Sequence, residues 1–250
     1  MPGGRSGPVH CASMATTGIV QVSLRPLQPI LTALGLAIGP GLAIGLGTLA
    51  FPVFLPAMMA DLGLNFAQAG SLVSAGAVGA LMGILVLMAT QAWVSAGLIY
   101  RFGILIACAG LLLGGVPRDF SALIGLRVLM GVAGLLLLAC GLRLASTIFV
   151  YGPDRTTPVL GYIVRLGGAS GLLVAALMVP TLLAMLGDRG WSDAWLMAGL
   201  VAVVLAPFAL WASRRIVSGQ PARDEIAPTA TTLPILLSYA LFSAGMLSAL

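Results

Sequence analysis

Apolar residues run along this chain in blocks far longer than the buried stripe of a water-soluble helix, with short polar breaks between them. A helix crossing a bilayer needs about 20 consecutive apolar residues. The first block covers 31–59 and ends at a break over 61–65. The second begins near Phe66 and continues to Val116, interrupted only by Thr90, Gln91, Tyr100 and Arg101. It is too long for one span and suits two. A turn at 101–103 would leave a third helix of only about 20 Å, too short for a hydrocarbon core of about 30 Å. The turn is therefore placed at 91–97, with Arg101 inside the start of the third helix and snorkelling outward. Pro117-Arg118-Asp119-Phe120 closes that helix. A fourth helix follows over 122–148, a Gly- and Pro-bearing loop over 152–158, a fifth helix over 159–186, a loop over 187–193 and a sixth helix over 194–211. Trp191 and Trp195 at the last entry suit an interfacial belt. A polar linker, 213–232, leads to a seventh apolar stretch that starts at Leu233 and runs to Leu250.

Composition makes the membrane assignment firm. Hydrophobic residues are 60% of the chain and charged residues 8%, against about 25% charged in soluble domains. So few charges cannot build a water-facing surface. Residues 1–30 read as a flexible cytoplasmic tail, with Met14 an alternative start. The first apolar block exceeds the core of a signal peptide and reads as a helix that stays in place. All 12 basic residues are Arg. They form no stripe suited to nucleic acid, and their placement instead orients the chain. One set of alternate loops and ends holds Arg5, Arg25, Arg101, Arg155, Arg214, Arg215 and Arg223; the other holds Arg118 and Arg189, each beside an Asp. The positive-inside rule puts the N-terminus and the 213–232 linker in the cytoplasm of a bacterial inner-membrane protein.

Candidate chemistry is sparse. Asp61, Asp119, Asp188 and Asp193 fall in outer turns, so no carboxylate sits clearly within a span, and the single histidine, His10, lies in the tail. Adjacent His10 and Cys11 cannot complete a metal shell; neither a metal nor a cofactor is expected. Cys108 and Cys140 read as small buried hydrophobes. A membrane hydrolase would need a Ser–His pair or two aspartates within the bilayer, and no repeated filter loop points to a channel. The chain is therefore not read as an enzyme. Arg127, Arg143 and Arg165 are the intramembrane charges, and such residues usually face a cavity or a partner. For Arg143 and Arg165 two readings stand together: snorkelling or packing against carbonyls, and a place on a substrate path. Three cations without carboxylates favour an anionic substrate. Thr48, Ser74, Gln91 and Ser170 either line a path or make interhelical contacts. Small residues gather on the first helix (Gly35, Gly39, Gly41, Gly45, Gly47) and the fifth (Gly161, Gly167, Gly168, Gly171), a spacing that lets backbones approach closely in lipid. Gly167 and Gly171 are candidates for packing or gating. Pro40, Pro52, Pro56, Pro180 and Pro207 are candidates for bends around a cavity.

Six helices, a cytoplasmic linker and a further helix resemble the layout of the major facilitator superfamily. Gly125-Leu-Arg127-Val-Leu-Met-Gly131-Val-Ala-Gly134 is similar to its Arg-x-x-x-Gly motif. Pro153-Asp154-Arg155 followed by Leu160-Gly161 resembles its loop between helices four and five, and Gly190-Trp191-Ser-Asp-Ala-Trp195 its entry to helix six. Gly45-Leu-Gly47-Thr48-Leu-Ala-Phe51-Pro-Val-Phe-Leu55-Pro56, then Ala60-Asp61-Leu-Gly63-Leu and Gln68-Ala-Gly70, resembles the YbfB/YjiJ-type branch. The resemblance covers about residues 31–250. It implies an all-α integral membrane fold: a six-helix N-terminal bundle over 31–212, plus the start of a truncated seventh helix over 233–250. It implies a secondary transporter moving a small solute by alternating access, with Arg127 in coupling or gating and Gly131 in its motif. Two departures stand out. The branch's Arg after Gly-x-Gly is Thr48, and the basic turn that helps latch the cytoplasmic gate is reduced to Gly97 and Arg101. The expected partners are the lipid bilayer, a small solute for which the three cations favour an anion, and either a C-terminal transporter half or a second copy. Residues 1–250 are expected not to transport alone; the alternative is a truncated membrane protein without transport activity.

Overall fold

The computed structural model describes residues 28–150, 157–187 and 190–216. The expected tail before residue 28, most of the 152–158 loop, the linker beyond residue 216 and the seventh apolar stretch lie outside them. The described elements are all helical: α1 (Gln28–Pro40), a π-helical segment (Gly41–Leu49), α2 (Phe51–Leu62), α3 (Phe66–Thr90), α4 (Ala96–Leu113), α5 (Phe120–Val150), α6 (Thr157–Leu186) and α7 (Trp191–Arg215). Six stretches are long and apolar enough to cross a membrane, the first being Gln28–Leu49. The chain is an all-α integral membrane protein.

The breaks have local causes. Gly63 adopts a left-handed conformation (φ 64°) and ends α2, the role glycine fills without steric cost. Two residues later Asn65 begins α3 with a capping box: its side chain accepts from the Gln68 N–H at 2.8 Å, and Gln68 Oε1 accepts from the Asn65 N–H at 3.0 Å. α4 begins at Ala96, as the length argument requires. Asp119 opens α5. Its carboxylate accepts from the Ser121 hydroxyl and from the Ala122 N–H, and these bonds hold it below the ordinary carboxylate range. α7 begins at Trp191 and ends at Arg215, three residues earlier and four later than the 194–211 read from hydropathy.

The first span is broken by its prolines. Pro40 has no N–H, so the carbonyl of Leu36, one turn back, has no intrahelical donor. The hydroxyl of Tyr100 on α4 donates to that carbonyl at 2.8 Å in a fully buried contact. The chain then widens into i→i−5 bonding, seen in Ala50 N–H to Gly45 O at 3.0 Å, and the Thr48 hydroxyl donates to Ala43 O at 3.0 Å within it. Tyr100→Phe should leave one carbonyl bare in an apolar site and cost about 1–3 kcal/mol. The loss should shrink in a Pro40→Ala background, where residue 40 regains its donor. Thermal unfolding of the two single variants and the double in detergent measures this coupling; additive losses would refute it.

The broken first span is the centre of the bundle. It touches α5 and α6 through both α1 and the π-helical segment and α7 through α1, while α3 lies on α5 and α4 lies between α5 and α7. Two seams bring backbones together. On the first, a Cβ at Gly167 would fall 2.0 Å from Ala37 O, one at Gly171 2.0 Å from Gly41 O, and one at Gly45 2.5 Å from Gly171 Cα. On the second, a Cβ at Gly131 would fall 2.1 Å from Gly76 O, and one at Gly79 2.1 Å from Val128 O. Without a hydrophobic drive between helices in lipid, this close contact supplies the packing energy. α6 makes its seam with one narrow stripe, Leu160, Val164, Gly167, Gly171, Ala175 and Val179, and leaves Tyr162, Arg165, Leu166, Leu173, Leu177 and Met185 exposed.

Three expectations are corrected. Trp191 and Trp195 are not belt residues: both are buried, because each ring finds partners inside the bundle. Arg118 pairs with Asp61 rather than the adjacent Asp119, whose oxygen is taken by the α5 cap. Arg101 does not simply snorkel; it is half-buried, and its Nε donates to Ser213 Oγ on α7 at 3.3 Å.

Candidate functional site

Among the described residues, Arg127 is the most enclosed charged residue, with 6% of its surface accessible. It projects from α5 toward the point where the first span breaks. Its Nη1 donates to Gly47 O at 2.6 Å and its Nε to Leu72 O on α3 at 3.4 Å. The guanidinium lies 3.8 Å from the centroid of the Phe51 ring. The contact with Gly47 follows from the break. In the π register the N–H that would meet Gly47 O belongs to residue 52, and residue 52 is proline. Arg127 therefore supplies a donor to a carbonyl the break exposes, and ties α5, α3 and the first span together. Gly76 makes room for it: a Cβ there would lie 3.2 Å from Nη2.

Beside the guanidinium lies a small, partly open cavity of about 20 Å³, lined mainly by apolar side chains from α2, α3, α4 and α5 and by Trp195 from α7. Trp195 stacks on Phe54 with ring centroids 4.5 Å apart. Its indole N–H is buried and has no hydrogen-bond partner.

A second polar cluster closes one end of the bundle. Asp61, in the last turn of α2, accepts from Arg118 and from Trp191 Nε1, the latter at 3.0 Å. The Arg118 guanidinium lies 5.2 Å from the Trp191 ring centroid. α2, the turn before α5 and the start of α7 are thereby joined.

The other cations are placed differently. Arg143 on α5 is half-buried, and Arg165 on α6 is exposed. Neither meets Arg127. Gly97 is buried in the first turn of α4 and Arg101 lies one turn on, against α7. Gly131 belongs to the α3–α5 seam, and Gly167 and Gly171 to the seam between α6 and the first span. Ser74 and Ser170 bond carbonyls of their own helices, Gly70 O and Gly167 O. Sequence reasoning missed the π segment, the Asp61–Arg118–Trp191 cluster and the pairing of Arg127 with Trp195 around one cavity. Pro40 and Pro52, twelve residues apart, carried the first signal; the other two depend on contacts between distant segments.

Residues 41–249 match the family described as the uncharacterised MFS-type transporter YbfB. No curated protein matches the chain.

Proposed function

We infer, from a chain that belongs to the YbfB-type family of major facilitator transporters, a secondary transporter that carries a small anionic solute across the bacterial cytoplasmic membrane by alternating access. The observation that carries this reading is the exposed face of α6. This helix buries only one glycine-containing stripe against the first span, and Arg165 sits on the face left open. A cation facing hydrocarbon is costly, so that face suits a water-filled path between two six-helix halves. Arg165 contacts the solute on this reading, and half-buried Arg143 supports the same path. Arg127 is a positioning residue that holds the break in the first span. Gly97 and Arg101, with Ser213 beside them, form what remains of a gate at the end that bears most of the Arg residues. The 213–232 linker passes to a seventh helix, and a second half or a second copy completes the path. The activity is transport rather than enzymatic conversion.

Counterflow of labelled small carboxylates in proteoliposomes tests this. Uptake that is saturable and weakened at least tenfold by Arg165→Gln supports it. No carboxylate counterflow in any assembled form overturns the anionic substrate. Uptake by a chain that cannot be crosslinked through cysteines at Leu173 or Leu177 overturns the two-half path.

Orientation is tested separately. The Arg bias puts the Asp61–Arg118 end outside and the N-terminus in the cytoplasm. With the native cysteines removed, Cys at Ser192 should react with an impermeant maleimide in intact cells and Cys at Ser218 should not. The reverse pattern would invert the assignment.

A further inference from the structure

We propose that the cavity between Arg127 and Trp195 binds one small inorganic anion of chloride size inside the six-helix bundle, away from the α6 face proposed for the transported solute. Arg127 is enclosed, yet the partners that hold it are neutral: two carbonyl oxygens and the face of Phe51. A guanidinium has five N–H donors, and these two hydrogen bonds engage only part of them. A buried cation compensated only by dipoles remains expensive in a low-dielectric interior. Trp195 lines the same cavity, and its indole N–H is buried and unpartnered. A buried donor left unpaired costs free energy that a bound acceptor recovers.

The rest of the lining decides the sign and size of the ligand. Phe51, Met58, Leu72, Leu123, Leu126 and Met130 offer hydrocarbon and weakly accepting thioether only. A water molecule must donate as well as accept, and these side chains give it poor acceptors. A halide only accepts. It neutralises Arg127, takes the Trp195 N–H, and tolerates apolar walls. A bulky organic anion would have to displace Phe51 or Trp195, which pack with centroids 6.5 Å apart. The anion is then a fixed counterion that sets the affinity of α5 for the broken first span.

Equilibrium binding of radiolabelled chloride to the purified full chain in detergent tests this, with gluconate holding the ionic strength. The expected result is saturable binding of one chloride per chain, with a thermal midpoint that rises as chloride replaces gluconate. Trp195→Phe should weaken binding roughly tenfold, the loss of one bond to a charged partner. Its midpoint in chloride-free buffer reports folding independently. Arg127→Gln should abolish binding; if that variant does not fold, Trp195→Phe alone decides. No saturable chloride binding to folded wild-type protein, or equal binding by folded Trp195→Phe, overturns the proposal. The readout requires no transport, so it stands or falls separately from the proposed carboxylate path.

Discussion

Gly171→Ala should destabilise the bundle by about 2 kcal/mol, although alanine is the better helix former. The new methyl group would lie 2.0 Å from Gly41 O and 2.8 Å from Gly41 C. Those are backbone atoms of the central span, and they cannot move aside as a side-chain tip can. α6 would have to lift away from a seam that also holds Gly45 and Gly167 within the same distances. Overpacking of this kind costs about 1–3 kcal/mol and occasionally more, and removing a helical glycine returns at most about 1 kcal/mol. The clash wins because α6 rests mainly on the first span and most of its surface is exposed. Gly125→Ala is the matched control, since nothing lies within 4 Å of a Cβ there. It should leave the thermal midpoint unchanged or raise it, while Gly171→Ala lowers it by on the order of 5–10 °C. Gly171→Leu should yield no folded protein. Equal midpoints for the two alanine variants would mean that the seam relaxes at no cost.

Hydropathy located the spans because bilayer thickness imposes a length on each helix, and that constraint needs no knowledge of partners. The choice of turn after Gln91 shows this: α4 starts at Ala96 because a later start would have left a helix too short to cross. The ends of α7 were misread for the opposite reason. Trp191, Ser192 and Asp193 look polar in a window average, yet Trp191 is buried by pairing with Asp61, 130 positions earlier in the chain. A local average cannot register such a partner. The glycines were legible as packing residues from spacing alone. Which glycine meets which carbonyl depends on the crossing of two helices and was not. The π segment follows from prolines at both ends together with a buried donor on each side, Tyr100 at Leu36 O and Arg127 at Gly47 O. Only the prolines are visible in the sequence. Arg127 was singled out as an intramembrane charge; its partners are the Gly47 carbonyl beside the break and the Leu72 carbonyl within α3, contacts between distant segments that no local pattern shows.

Arg127 has a further consequence, in which stability and transport separate. Replacing it removes a 2.6 Å bond to Gly47 O, a weaker one to Leu72 O and the contact with Phe51. The bare carbonyl costs about 1–3 kcal/mol and the lost cation–π contact about 2 kcal/mol when desolvated. Against this, a charge that several kcal/mol of desolvation had opposed is no longer buried. The two sides nearly cancel for Arg127→Gln, whose amide still donates one hydrogen bond, so that variant should fold with a midpoint close to wild type. The junction between α5, α3 and the broken span loses its fork, however, and one donor cannot hold three elements in register. Arg127→Gln should therefore lower counterflow in the assembled transporter at least tenfold at matched expression, and Arg127→Ala by more. Arg118→Ala is the comparison. Its side chain is 55% exposed, and an exposed ion pair contributes about 0–1 kcal/mol. Trp191 still donates to Asp61 without it, so transport should fall less than threefold. Similar losses at the two positions, with both proteins folded, would reduce Arg127 to one more surface-strength contact and remove it from the working parts of the transporter.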